Sequence, residues 1–239
     1  LPKSKALWPL FETIVNSIQS LEETKDCTNP EITVLANRPV ERQMLMNGEE
    51  ELNHFEEFIV TDNGEGFTER NYKSFLEAYT TYKIQKGCKG IGRFLWLKAF
   101  SKIEVKSIYT EDGKWYQREF TFSLENTIEP EDNKKEIDAP EDGNRMTEVR
   151  LLGFQSYYRD EVALSLESLV KKVIEHCLPY FIVEGCPNIV VKDNVEGSYS
   201  LNSYYKDLYK DTLHRDDITI KGKSFSLYHM TVTEGADKH

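Results

Sequence analysis

The chain has 239 residues, 39% of them hydrophobic and 30% charged, and a formal net charge of −11. These are globular proportions, with length for one large domain or two small ones; they exclude a disordered tail, and no apolar run approaches the length of a bilayer span. A pI near 5.1 argues against a main role in binding nucleic acid, which normally takes a basic surface. The four cysteines lack paired zinc spacing and are too sparse for a disulfide scaffold, and no histidine falls in a metal motif. We read reduced thiols in a cytoplasmic protein with no membrane contact. Leu1-Pro2-Lys3 carries neither an initiator Met nor a signal peptide, so we expect a segment of a longer protein.

In chain order, Trp8 to about Glu23 has a helical pattern. Pro9 suits the first turn, and Leu10, Phe11, Ile14, Val15, Ile18 and Leu21 form one broad apolar face. Glu12 and Asn16 fall together on the opposite side, with Gln19 and Glu23 nearby; on pattern alone this is a solvated polar face. Ile32–Leu35 reads as a strand, Asn37–Asn53 as loop or frayed helix, and Phe58–Thr61 as a better strand ended by Asp62-Asn63-Gly64-Glu65-Gly66. Asn-Gly commonly marks a hairpin, yet Phe67–Thr81 looks helical, not like a return strand. Ile103–Tyr109 and Lys114–Phe122 alternate as strands joined by Glu111-Asp112-Gly113. Glu129–Asn144 is acidic and reads as a mobile loop, Thr147–Leu152 as a strand, Arg159–Cys177 as a helix stopped near Pro179, and Asn188–Val191 as a strand. Past Asp193 a tyrosine-punctuated polar segment leads to a hairpin over Ile218–Val232. We expect a domain over 1–193, then a linker and the opening of a second, truncated transducer-like domain over 194–239.

Between these elements lies Lys86-Gly87-Cys88-Lys89-Gly90-Ile91-Gly92-Arg93-Phe94, three glycines and three cations just before the apolar run Leu95–Phe100. Glycines let the backbone approach an anion, and a helix starting there brings free N–H groups and a positive dipole end. A plain glycine turn before a core helix would read the same way. Two commoner phosphate motifs fail. Gly222-Lys223-Ser224 has the tail of a P-loop, but Asp217 stands where its first glycine belongs. Leu95 occupies the place of the third glycine of a dinucleotide fingerprint.

The order of four elements fits something else. A helix with Glu12-x-x-x-Asn16 precedes a strand and Asp62-x-Gly64-x-Gly66; then come Gly87-x-x-Gly90-x-Gly92 and a strand opening Thr147-x-Val149-x-Leu151. This resembles the GHKL superfamily of gyrase, ninety-kilodalton heat-shock chaperones, histidine kinases and MutL, with the N box at Phe11–Ser17, the Asp-x-Gly-x-Gly box at Asp62–Gly66, the lid at Lys86–Phe94 and the late threonine at Thr147. The lid is not that of gyrase, MutL or the chaperone, and within the superfamily the chain is most similar to MORC-type and uncharacterised prokaryotic members.

The resemblance implies a Bergerat-type α/β two-layer sandwich: a mixed, mostly antiparallel sheet with helices on one face and ATP held beneath the lid. It implies that Asn16 completes a Mg2+ shell, that Asp62 accepts from the adenine amino group, and that Gly64 and Gly66 belong to the turn, Gly66 leaving room for the base. Thr147 would help bind the base, the amides of Gly90, Ile91 and Gly92 would hold phosphates with Lys89 or Arg93, and Glu12 would act on the attacking water. Glu12 favours an ATPase over a histidine kinase catalytic domain, whose nucleophile is a histidine; a module that senses ATP without hydrolysing it is the third alternative. The resemblance further implies an ATP-dependent homodimer acting on DNA or protein.

Overall fold

The computed structural model describes residues 1–24, 26–44, 50–76, 92–123, 132–182, 185–209 and 213–230. After a short 3-10 turn at Lys3–Lys5, helix α1 spans Trp8–Glu23 with Pro9 in its first turn. The apolar stripe expected from its sequence is buried: Leu10, Ile14 and Ile18 are at most 1% exposed. Burying such a side chain contributes roughly 1.5–3 kcal/mol, so this stripe anchors the helix where propensity alone would not.

Strands β1 (Glu31–Asn37), β4 (Glu57–Asp62), β5 (Phe100–Glu111), β6 (Lys114–Ser123), β7 (Asn133–Ile137), β8 (Met146–Phe154), β9 (Asn188–Asp193) and β10 (Ser198–Ser200) form one eight-stranded sheet in the order β10-β9-β1-β4-β8-β5-β6-β7. Among the described residues, only the β1–β9 pair is parallel. Along each central strand, alternate residues point into the core. Val34, Val60, Val149, Val105 and Phe120 are successive cross-strand partners and form one buried row. Above that face lie α1, α3 (Gly92–Ala99), α5 (Leu166–Ile182) and α6 (Leu201–Leu208), packed on the sheet and on one another. The mixed, mostly antiparallel sheet with a helical layer is the architecture expected from the sequence. Phe58, Phe100 and Phe154 fill its centre, the last two stacked with ring centroids 4.6 Å apart.

Four segments depart from the sequence reading. Gln43–Met44 (β2) and Glu50–Glu51 (β3) pair as a small hairpin within the stretch read as loop or frayed helix. Within the expected acidic loop, β7 pairs with β6 and Lys134 of β7 binds Glu111 at 2.9 Å, so backbone bonds and an ion pair replace apolar alternation. The expected helix from Arg159 divides into α4 (Ser156–Arg159) and α5, because the Ser165 hydroxyl accepts the Ser168 N–H and starts a new helix. Pro179 then lies inside α5 instead of ending it. Only three residues follow before the helix closes, so the carbonyl it leaves unpaired is in the last turns. Past Asp193, β10 adds to the sheet edge and α6 (with Leu201 and Tyr205 buried) packs against α5 and β9. Helix α2 (Glu69–Leu76) covers part of the expected Phe67–Thr81 helix; it starts two residues later than expected, and residues 77–81 lie outside the described residues. Strands β11 (Leu213–Ile220) and β12 (Lys223–Met230) form a separate two-stranded hairpin.

Far from the expected site, the buried Arg38 guanidinium binds Asp193 and Glu196 and donates to the carbonyls of Asn53 and Leu164. Glu196 also accepts the Leu166 N–H, so one charge cluster ties the exits of β1 and β9 to the start of α5. Among the described residues, no helix is long and apolar enough to cross a membrane.

Candidate functional site

Strand β4 ends at Asp62, whose side chain points toward the helices because it lies two residues beyond the buried Val60. It is 5% exposed. A carboxylate is expensive to bury unless its oxygens are satisfied, and both are engaged: the Ser17 hydroxyl donates to Oδ2 at 2.7 Å and the Gly64 N–H to Oδ1 at 3.0 Å. Ser17 belongs to α1, so the helix that carries Glu12 and Asn16 is joined directly to the end of β4. Ser20, one turn further, lies against Gly64 so closely that a Cβ there would come within 2.4 Å of Ser20 Oγ and 2.9 Å of its backbone carbonyl carbon. Gly64 is thus a close-approach glycine. Asn63 turns the other way, accepting the Glu31 N–H and donating to the Asn29 carbonyl.

Gly66 has φ +79°, and a Cβ would meet Tyr109 Cβ at 2.7 Å and Ser107 Oγ at 2.8 Å. The turn can lie flat on β5 only without a side chain at this position. Thr147 sits directly opposite Asp62 in the β4–β8 ladder and directly opposite Ser107 in the β5–β8 ladder. The hydroxyls of Ser107 and Thr147 are 2.9 Å apart, and Ser107 Oγ also accepts the Phe67 N–H at 2.9 Å.

The structure therefore brings together Asp62, Gly64, Gly66 and Thr147, with α1 beside them. Glu12 and Asn16 lie one helical turn apart on α1 and both are half-buried, not on a solvated face; Gln19, expected near them, is 2% exposed. Burial pushes the Glu12 carboxyl above the ordinary carboxylate range, toward a better proton acceptor. Lys89, Gly90 and Ile91 lie outside the described residues, and Gly92 is the first residue of α3, which packs against α1; nothing is described of the Arg93 side chain. Sequence reasoning assigned no role to Ser17 or Ser107. Ser17 was adjacent to a recognised motif residue, whereas Ser107 is found only through strand register.

The polar groups suit a nucleotide with a magnesium ion. Among the described residues no cluster of three or more His, Cys, Asp and Glu side chains stands ready for a metal. Mg2+ is commonly held by one or two protein oxygens together with phosphates and water, a role the Asn16 carboxamide oxygen fits. A cleft of about 720 Å³ opens on the opposite face of the sheet, where Thr33, Thr61 and Thr110 point. Its rim carries Asp26, Glu31, Glu111, Asp112 and Asp142, and its one arginine, Arg145, is bound to Asp26 at 2.6 Å. Such a lining repels a polyanion, so we do not place a nucleotide there.

No protein-family model and no curated protein matches the sequence. Among solved structures the chain is similar to the ATPase region of Saccharomyces cerevisiae topoisomerase II, with TM-score 0.52 and 13% identity, covering 89% of this chain and 56% of that one. It is also similar to the ATPase and transducer domains of DNA topoisomerase II from Balamuthia mandrillaris, with TM-score 0.50 and 16% identity, covering 87% of this chain and 52% of that one. The chain spans about half the length of these structures. At such identities the likeness establishes the fold alone, and that fold is the one seen in these topoisomerase ATPase regions.

Proposed function

We propose that the chain binds ATP with Mg2+ and hydrolyses it, and that this works a switch in which the segment over 86–94 closes as a lid and two copies dimerise. The observation that carries the reading is the buried Asp62 carboxylate, opposite Thr147 and joined by Ser17 to the helix of Glu12 and Asn16. Elements far apart in sequence meet at this one place, which supports an ATP site there. Asp62 offers an acceptor to the exocyclic amine of adenine, and Gly66 leaves the base its space. Asn16 would hold the metal, which supplies charge neutralisation to the phosphates when bound. Glu12 takes the proton of the attacking water, and its raised proton affinity supports hydrolysis over passive sensing.

The test is phosphate release from Mg-ATP beside calorimetric binding. Glu12→Ala is expected to bind ATP as the parent does and to lose roughly 10²–10⁴-fold in turnover, the usual worth of a positioned general base. Asp62→Asn is expected to abolish binding, since one of its two acceptor oxygens becomes a donor while Ser17, Gly64 and the adenine amine all call for acceptors. Unchanged ATP affinity in Asp62→Asn would overturn the pocket assignment, and equal turnover in Glu12→Ala would remove Glu12 from the chemistry.

A further inference from the structure

Next to the apolar row of the sheet runs a second row of cross-strand partners on the same face. Asp62 of β4 is opposite Thr147 of β8, Thr147 is opposite Ser107 of β5, and Ser107 is opposite Arg118 of β6. Their exposures are 5, 5, 0 and 1%, so the sheet carries a buried polar row where its neighbour is wholly apolar. The row grips the backbone of one residue, Phe67, at both its N–H and its carbonyl. Ser107 accepts the Phe67 N–H, and Arg118 donates to the Phe67 carbonyl at 2.7 Å.

The protons in this row can be assigned by satisfaction. Ser107 Oγ already accepts from Phe67. Were it also to accept from Thr147, its own proton would be left without a partner at 0% exposure, at a cost of about 1–3 kcal/mol. With Ser107 donating to Thr147 Oγ1, the proton left over is that of Thr147, on a residue 5% exposed and not fully sealed, where it can serve a ligand. The floor then presents an acceptor, Asp62, beside a donor, Thr147. Adenine has the complementary edge, an amine donor beside the N1 acceptor. Hypoxanthine and guanine have a carbonyl beside an N1–H, and meet an acceptor with an acceptor and a donor with a donor.

We propose that Ser107 is the specificity-determining positioning residue of the base pocket, fixing the Thr147 hydroxyl as a donor and thereby selecting adenine over six-oxo purines. This rests on the ATP reading of the site. The test measures calorimetric affinities of ADP and inosine diphosphate, which avoid turnover, for the parent, Ser107→Ala and Ser107→Cys. The parent is expected to prefer ADP. In Ser107→Ala the ADP-to-inosine-diphosphate preference is expected to fall about tenfold, the worth of one hydrogen bond near the upper end of its range, and Ser107→Cys, with a weak donor, should lie between. A merely structural role would weaken both ligands alike and leave the ratio unmoved. An unchanged ratio in whichever of the two variants folds overturns the proposal, whereas a parent that binds neither nucleotide overturns the ATP reading itself.

Discussion

Gly66→Ala separates two costs that the structure assigns to different causes. At φ +79° any side chain is strained by about 1–2 kcal/mol, the penalty for an L-residue in left-handed backbone. The added methyl also meets Tyr109 Cβ at 2.7 Å, an atom fixed to the β5 backbone, and Ser107 Oγ at 2.8 Å, which can rotate away only by giving up Phe67 and Thr147. Overpacking of this kind costs about 1–3 kcal/mol, so the total is about 2–5 kcal/mol. Gly113 is the matched control. It has φ +76° in the β5–β6 turn, with nothing within 4 Å of its added Cβ, so Gly113→Ala should lose the strain penalty alone, about 1–2 kcal/mol. Urea unfolding followed by tryptophan fluorescence gives both values by linear extrapolation. If Gly66→Ala is no less stable than Gly113→Ala, the turn does not lie on β5 as described.

Arg118→Ala should lose about 3 kcal/mol, measured in the same way, because the Phe67 and Thr68 carbonyls lose their donor; Glu69, with a side chain 44% exposed, can turn to water, which keeps the loss at the low end for a broken buried pair. His176 is exposed on one side and stacks on Phe11 at 4.5 Å on the other, and the desolvation of that stacked side lowers its proton affinity in the fold. The unfolded chain therefore takes the proton first, and stability present above the ordinary histidine range is lost as pH falls through the folded value; His176→Phe should flatten that part of a pH–stability profile, and an unaltered slope would refute the assignment. The Cys177 thiol is buried and pushed up to about 12, so a thiol reagent at pH 8 should label it only on unfolding, as located by mass spectrometry; rapid labelling of Cys177 in the native protein would contradict its placement.

Much of this molecule is legible in its sequence because hydrophobic periodicity is local. The α1 stripe, the alternation of β5 and β6 and the apolar run of β4 each state their own structure within a dozen residues. What was not legible depends on partners. Asn133–Ile137 has no apolar alternation, and it becomes a strand because β6 offers an unpaired edge and Glu111 offers Lys134 a counter-charge. Leu201, Tyr205 and Tyr209 look like scattered residues of a polar segment until their four-residue spacing meets Phe181, whose ring lies 5.4 Å from that of Tyr205. The site divides in the same way. Asp62, Gly64 and Gly66 are consecutive enough to form a motif, and Glu12 and Asn16 share a helix face. Ser107 has no motif, since what defines it is being opposite Thr147.

That division has a physical origin. A glycine at positive φ and a carboxylate ending a strand are demands of the local backbone, and they leave the same trace wherever they occur. A buried polar row across four strands is a demand of register, and slipping any one strand by a single residue would turn its member to the opposite face. Asp62, Thr147, Ser107 and Arg118 therefore act as a lock on register as well as a pocket floor. A slipped β5 would bury Lys106 or Ile108 opposite Thr147 and leave the Phe67 N–H without Ser107. The apolar row beside it tolerates shuffling among similar residues, whereas the polar row is satisfied in one alignment only, and this is where the fold and the base-reading geometry constrain the same atoms.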